Sequence, residues 1–210
     1  MNNGWQNSAK AWIADMGDHG DFGRRYVLDP VMLPRALQSS PSNAIDIGCG
    51  EGRFCRMLAK HGVHATGVDP TPALVDAARR QDPQGTYIEA GAEKLPEMVR
   101  VLKPGGRLLI ANLNSFNSAC ADRGWVKDDS GHKLHYPIDH YLSEGEMWIE
   151  YRGIRIVNFH RPLSVYMRLL LIAGLRLTHF DEPSPIEGAP ARAGDYRRVP
   201  WFLAMEWKKL

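Results

Sequence analysis

The stretch Ala44-Ile45-Asp46-Ile47-Gly48-Cys49-Gly50-Glu51-Gly52-Arg53-Phe54 constrains this chain more than any other, because a short apolar strand must turn through alternate glycines straight into a helix. The β-branched run bounded by glycine reads as a buried parallel strand, and Phe54, Met57, Leu58 and Ala59 then recur at helical spacing. Glycines at such a turn let the backbone approach a ligand closely, since a Cβ would block the approach or forbid the torsions. A second strand, Ala65-Thr66-Gly67-Val68, ends in Asp69. An acid at the tip of the second strand of a βαβ unit is placed to accept hydrogen bonds from ribose hydroxyls. These features together specify a nucleotide-type pocket.

Glycine spacing separates the candidate nucleotides. A dinucleotide fingerprint needs G-x-G-x-x-G/A, whose small third residue lets helix pack on strand while pyrophosphate sits on the helix N-terminus. Here the third glycine, Gly52, comes one residue early and Arg53 stands where the small residue belongs. Asp46 also enters the turn, which suits a cationic ligand better than a pyrophosphate. An NAD(P)-dependent oxidoreductase is therefore disfavoured. The residues resemble the Asp-x-Gly-x-Gly-x-Gly motif of class I S-adenosylmethionine-dependent methyltransferases. That resemblance implies a glycine loop, Asp46, Gly48, Cys49, Gly50 and Gly52, passing under the donor's amino-acid end, with Asp69 holding the ribose.

Further motifs extend the likeness. Tyr87-Ile88-Glu89-Ala90 reads as a third strand leading into Gly91-Ala92-Glu93-Lys94-Leu95-Pro96, which resembles the family's adenine-side loop. Many relatives carry an acid at the Gly91 position; without one, the adenine contacts implied here are backbone at Ala92 and apolar surface from Pro70 or Leu95. Val101-Leu102-Lys103-Pro104-Gly105-Gly106-Arg107-Leu108-Leu109-Ile110 is a helix end, a Pro-Gly-Gly turn and an apolar strand, matching the family's fifth strand. The similarity covers residues 12 to 113. The implied fold is α/β, a Rossmann-like doubly wound sheet, mostly parallel with an antiparallel last strand. One piece is missing: Pro96 is followed at once by what reads as the last turns of the helix before the fifth strand. Against a strand–helix unit of about 30 residues, roughly 25 are absent between Pro96 and Glu97, including the fourth strand. Buried backbone groups left unpaired by such a loss cost about 1 to 3 kcal/mol each, so the natural chain is expected to contain the segment.

With 210 residues and 44% hydrophobic content, the chain suits one domain with a sizeable core. Its expected divisions are an N-terminal helical lid over 1–43, a donor-binding core over 44–113, an acceptor-side insert over 114–162, and a last helix with C-terminal strands over 163–210. A net charge of +2 leaves no basic stripe for nucleic acid. Arg192, Arg197 and Arg198 read as a solvated face. Neither a long apolar run nor a targeting leader appears, so a soluble, cytoplasmic protein without membrane association is expected. Cys49, Cys55 and Cys120 lack metal-ligand spacing and even parity, which fits reduced thiols.

Trp5, Trp12, Ile13, Met16, Phe22, Tyr26, Val27, Leu28 and Leu33 supply apolar anchors on two short helices, divided at Gly17-Asp18-His19-Gly20-Asp21, which either form a lid or cap a sheet edge. Pro30 and Pro34 are expected to steer the chain towards the first strand. From Asn114 to His160 the chain is rich in aromatic residues and histidine, and aromatic groups beyond the carboxyl ends of parallel strands can wall an acceptor from water. Trp125, His135, Tyr141 and His160 are the acceptor-side candidates. His160, just before a helix over Leu163–Ala173, is the candidate general base, since histidine titrates near neutrality. His132, His135 and His140 lack a Cys or carboxylate partner for a metal site, and no metal is expected. The sixth and seventh strands are expected at Leu175–Phe180 and Trp201–Trp207. The expected activity is methyl transfer from S-adenosylmethionine to an oxygen or nitrogen of a small molecule. The alternative is a methyltransferase-like binding or regulatory protein without turnover.

Overall fold

The computed structural model describes residues 3–91, 95–120 and 124–210, with backbone alone at 95–97. The chain forms two compact units: Met1–Arg25, Asp29–Val101 and Trp148–Val157 make the first, and Tyr26–Leu28, Leu102–Met147 and Asn158–Leu210 the second.

In the first unit α1 (Trp5–Met16) and α2 (Asp29–Leu37) precede β1 (Asn43–Ile47), α3 (Arg53–Ala59), β2 (His64–Asp69), α4 (Pro72–Gln81), β3 (Thr86–Glu89) and α5 (Leu95–Val101). Strands β1, β2 and β3 are parallel neighbours in that order, with Asp46 opposite Gly67 and Asp69 opposite Glu89. Ser8, Ala9, Trp12 and Met16 recur on one face of α1 and are buried. They pack with Leu74 of α4 and with Ile154 and Ile156. Ser8 Oγ also bonds both the carbonyl and the N–H of Arg155, each at 2.9 Å, pinning the helix to that backbone. A second cluster joins Cys49, Cys55, Val75, Ala78 and Tyr87 beneath the glycine turn.

The second unit is built on β4 (Arg107–Leu113), followed by α6 (Ser115–Ser118), β5 (Val126–Lys127) and β6 (Lys133–His135). A hairpin follows, β7 (Gly145–Tyr151) and β8 (Ile154–His160), of which Trp148–Val157 belongs to the first unit, then come α7 (Leu163–Ile172), β9 (Leu175–Asp181), α8 (Pro190–Arg198) and β10 (Phe202–Lys209). Strand β10 lies between β4 and β9 and is antiparallel to both. Its Leu203, Ala204, Met205 and Trp207 are almost wholly inaccessible, as a strand flanked on both edges requires. The fold is thus α/β with an antiparallel last strand.

The prolines depart from the sequence reading. Pro30 and Pro34 lie within α2, which continues a π-helical turn at Arg24–Leu28. Pro30 sits just past that π-helical turn, inside a continuous helical run and not at a free helix N-terminus. The arginines around Arg192 lie on helix α8 with Arg197 and Arg198 exposed, in keeping with a solvated face, and Arg198 also donates to the carbonyls of Lys133 and Leu134 at 2.9 and 2.7 Å, while Arg197 donates to that of Pro185.

Helix α5 runs unbroken across Pro96–Glu97. Among the described residues no strand intervenes between β3 and β4, and each sheet ends at an unpaired edge, at β1 in one and β4 in the other. On β1, Ile45 is 54% and Ile47 37% exposed. Natural edges are blunted by charge, proline or a bulge, and β1 carries apolar side chains instead. The purified chain is expected to associate as concentration rises, and Ile45→Lys to suppress this at unchanged helix content; light scattering beside circular dichroism checks it.

Candidate functional site

Strand β1 delivers the chain into a turn in which Gly48, Gly50 and Gly52 all have positive φ, at 80°, 56° and 78°. Around Gly48 a Cβ would meet nothing within 4 Å, and at Gly50 only Trp12 Nε1 at 3.8 Å. The two glycines thus floor a cradle that side chains would fill. Gly52 answers a packing need, since a Cβ there would come within 2.6 Å of the Tyr87 ring.

Asp69 closes the turn. Its Oδ2 accepts from Gly50 N–H at 3.0 Å and its Oδ1 from Thr71 N–H at 2.8 Å, with the residue buried. A carboxylate offers about four acceptor positions, so room remains for ligand hydroxyls. Pro70 follows, exposed beside it. Ala92 lies outside the described residues.

Asp46 is half-buried at the end of β1, and burial pushes its carboxyl up to about 6. The Cys55 thiol, 3.5 Å away, opposes that shift, whereas Asp69 and Glu51 reinforce it. Burial also pushes the Cys49 thiol up to about 12, so Cys49 is a neutral wall of the turn with no thiolate chemistry. The site is therefore rich in buried acid and suited to a cation.

Arg53 opens α3 and forms a two-pronged ion pair with Asp29, Nη1 and Nη2 each 2.8 Å from a carboxylate oxygen. This bond ties α2 to the first turn of α3. Sequence reading identified Arg53 as an obstacle to dinucleotides and gave no sign of Asp29, because the partners are far apart in the chain.

The acceptor-side candidates all belong to the second unit. His160 is 5% exposed; its Nε2–H donates to the Tyr141 carbonyl at 2.8 Å and its Nδ1 faces Ser118 Oγ at 2.7 Å. The carbonyl can only accept, so Nε2 carries the proton and Nδ1 is the nitrogen with base character. The Tyr141 hydroxyl accepts from Leu163 N–H, and its ring meets Phe116 and His160. Beside Tyr141 a shallow, open apolar cleft runs along Leu142, Leu163, Met167, Leu171 and Ile172, with Leu142 and Ile172 largely exposed. Trp125 packs elsewhere in the unit, edge-on to Tyr136 and under Arg198 at 4.3 Å. His135 stands exposed on β6, opposite Val126. The structure thus joins His160 to Tyr141, and Trp125 and His135 to the β5–β6 hairpin. His132 is bonded to Asp128 and Ser130, and among the described residues no three His, Cys, Asp or Glu side chains converge as metal ligands would. No helix among these residues is long and apolar enough to cross a membrane.

Residues 22–178 match the family described as a methyltransferase domain. The chain belongs to that methyltransferase family. An S-adenosylmethionine-dependent methyltransferase from Mesorhizobium loti superposes with a TM-score of 0.67 at 23% identity, covering 84% of this chain and 96% of that one. Among curated relatives, an uncharacterized methyltransferase of Mycobacterium tuberculosis is 26% identical over 47% of this chain and 49% of its own. A ubiquinone biosynthesis O-methyltransferase of Xylella fastidiosa is 24% identical over 46% of this chain and 53% of its own. The chain spans about half the length of the curated relatives it matches. The mycobacterial alignment extends over 124 residues yet occupies only 47% of this chain's 210, so about 25 of its positions have no counterpart here.

The raised Asp46 carboxyl has a consequence for stability. The folded form binds that proton more tightly than the unfolded chain, so stability is lost as pH rises from about 4 to about 6 and stays lower above. Asp46→Asn is expected to stabilise the ligand-free protein at pH 7 by about 1 to 3 kcal/mol, and to leave it unchanged at pH 4. Urea unfolding at the two pH values checks this.

Proposed function

We propose that this protein transfers a methyl group from S-adenosylmethionine to an oxygen or nitrogen of a small molecule. The observation that carries the reading is the open cradle over Gly48 and Gly50, closed by Asp69 and bordered by the half-buried Asp46, in a chain of the methyltransferase family. S-adenosylmethionine supplies an electrophilic methyl group on a sulfonium. Asp46 offers the counter-charge to the donor's cationic end, and Asp69 the ribose contacts. Gly48, Cys49, Gly50 and Gly52 shape the floor, with Pro70 and Ala92 on the adenine side.

On the acceptor side, Tyr141 and His160 are the proposed contacts, with Nδ1 of His160 the atom able to take a proton once Ser118 moves aside. Trp125 and His135 are carried as further acceptor-side residues. The apolar cleft beside Tyr141 favours an acceptor with an apolar body. In this reading residues 1–43 form a lid, 44–113 the donor core, 114–162 the acceptor side, and 163–210 the last helix and C-terminal strands. A second reading, a binding protein without turnover, is favoured by the unpaired edge of β1, the strand that carries the donor turn.

Calorimetric titration with S-adenosylhomocysteine, with NADH as control, tests the donor assignment. Micromolar binding of the former alone is expected, lost in Asp69→Ala and weakening as pH falls below about 6, where Asp46 takes up its proton. Binding of NADH instead overturns the reading. Donor binding with methyl incorporation into an acceptor library separates the enzyme from the silent alternative.

A further inference from the structure

Both ring nitrogens of His160 are taken. Nε2–H donates to the Tyr141 carbonyl at 2.8 Å, and Nδ1 lies 2.7 Å from Ser118 Oγ. A carbonyl only accepts, so the neutral ring keeps its proton on Nε2 and the Ser118 hydroxyl donates to Nδ1. Ser118 is 6% and His160 5% exposed, and the Tyr141 ring stands edge-on to the imidazole. A proton released by a methyl acceptor therefore reaches His160 by one of two routes. Either Ser118 leaves Nδ1, or the proton passes through its hydroxyl.

Three features favour the second route. Withdrawal of Ser118 strands Nδ1 as a buried acceptor without a partner, which is costly. The hydroxyl also has a second acceptor in reach, the Ser115 carbonyl 3.3 Å from Oγ, so rotation alone lets it donate to either side. Thirdly, α6 begins directly beyond the carboxyl end of β4, where α/β sheets place their ligands. Helix α6 is fixed there: Asn114 Oδ1 accepts from Phe116 N–H at 3.0 Å, and Ser115 Oγ donates to the Arg161 carbonyl at 2.7 Å. The second of these bonds ties α6 to the residue after His160, which holds the Ser118–His160 spacing.

We propose that Ser118 is a catalytic residue that relays the acceptor's proton to His160. The inference rests on the proposed function and deepens it, by naming the atom through which the buried base is reached. In the step, the acceptor's heteroatom takes the methyl group with its lone pair, and the pair of the broken carbon–sulfur bond stays on sulfur. The acceptor's proton passes to Ser118 Oγ as the serine's own proton passes to Nδ1. The positive charge thereby moves from the sulfonium to an imidazolium, and the methylated acceptor leaves neutral. Ser118 then turns its new O–H to the Ser115 carbonyl and accepts from Nδ1–H, while Nε2–H stays on Tyr141. No buried polar group of this set is unpaired before or after the transfer.

Two measurements test the relay. Nitrogen-15 NMR of the full, ligand-free chain, with His160→Gln to assign the signals, reads the tautomer of the neutral ring. A bare Nδ1 and a protonated Nε2 are expected; a protonated Nδ1 overturns the relay. Methyl incorporation from S-adenosylmethionine into a library of O–H and N–H acceptors is then compared for wild type, Ser118→Ala, Ser118→Thr and His160→Gln, with thermal melts of each. Ser118→Ala is expected to lower kcat about a hundredfold at a KM within about twofold, and Ser118→Thr, which keeps the hydroxyl, to retain most of kcat. Adding His160→Gln to Ser118→Ala is expected to cost less than about threefold more, because the two act as one unit. Full turnover in Ser118→Ala selects the route in which the serine moves aside, and overturns the relay while the methyl-transfer reading stands. Equal losses in the Ala and Thr variants, or losses that multiply in the double variant, overturn it as well. Wild-type protein that methylates no acceptor overturns the enzymatic reading and the relay with it.

Discussion

Everything at the donor site hangs on the carboxylate of Asp69. Its two oxygens take the N–H of Gly50 from one loop and that of Thr71 from the next, so a single buried acid fixes the glycine turn to the start of α4. Neither N–H has an alternative partner in the strands, and a buried orphan donor is costly. The same carboxylate raises the proton affinity of Asp46 across the β1–β2 pair. The fold holds this buried acid partly through backbone N–H groups, and strongly perturbed carboxyls of this kind cluster at functional sites.

Around that hub the sheet is incomplete. Among the described residues, the β1–β2–β3 and β4–β10–β9 sheets each stop at a bare edge, and α5 is the one element between β3 and β4. The roughly 25 positions by which the mycobacterial relative exceeds this chain in the aligned region are close to what a strand and a helix need. The exposed Ile45 and Ile47 are side chains of a buried strand that here lacks a neighbour.

Much of this was legible because it is local. The glycine turn, the acid after the second strand and the Pro-Gly-Gly turn each declare themselves within a dozen residues, and the bare edges were foreshadowed by the short Pro96–Glu97 junction. What escaped the sequence depends on partners distant in the chain. Asp29 gives no sign of its bond to Arg53 until α2 and α3 meet, and His160 gives none of its bonds to Ser118 and Tyr141. Pro34, expected to steer the chain towards the first strand, sits inside α2, in a helical run that continues from the π-helical turn at Arg24–Leu28. The exposed arginines of α8 keep to the solvated face expected of them, and only their bonds to the carbonyls of Lys133, Leu134 and Pro185 carried no mark in the sequence.

The strand pairings also impose an order in time. The β1–β2–β3 sheet draws its strands from residues 43–89, neighbours joined by one short helix each, whereas β10 must find β4 across almost half the chain. Close pairings form early and distant ones late, because loop closure is slower than local docking. On the ribosome the donor turn is therefore assembled while β10 is still unmade. The edge of β4 that β10 later covers stays open throughout that interval.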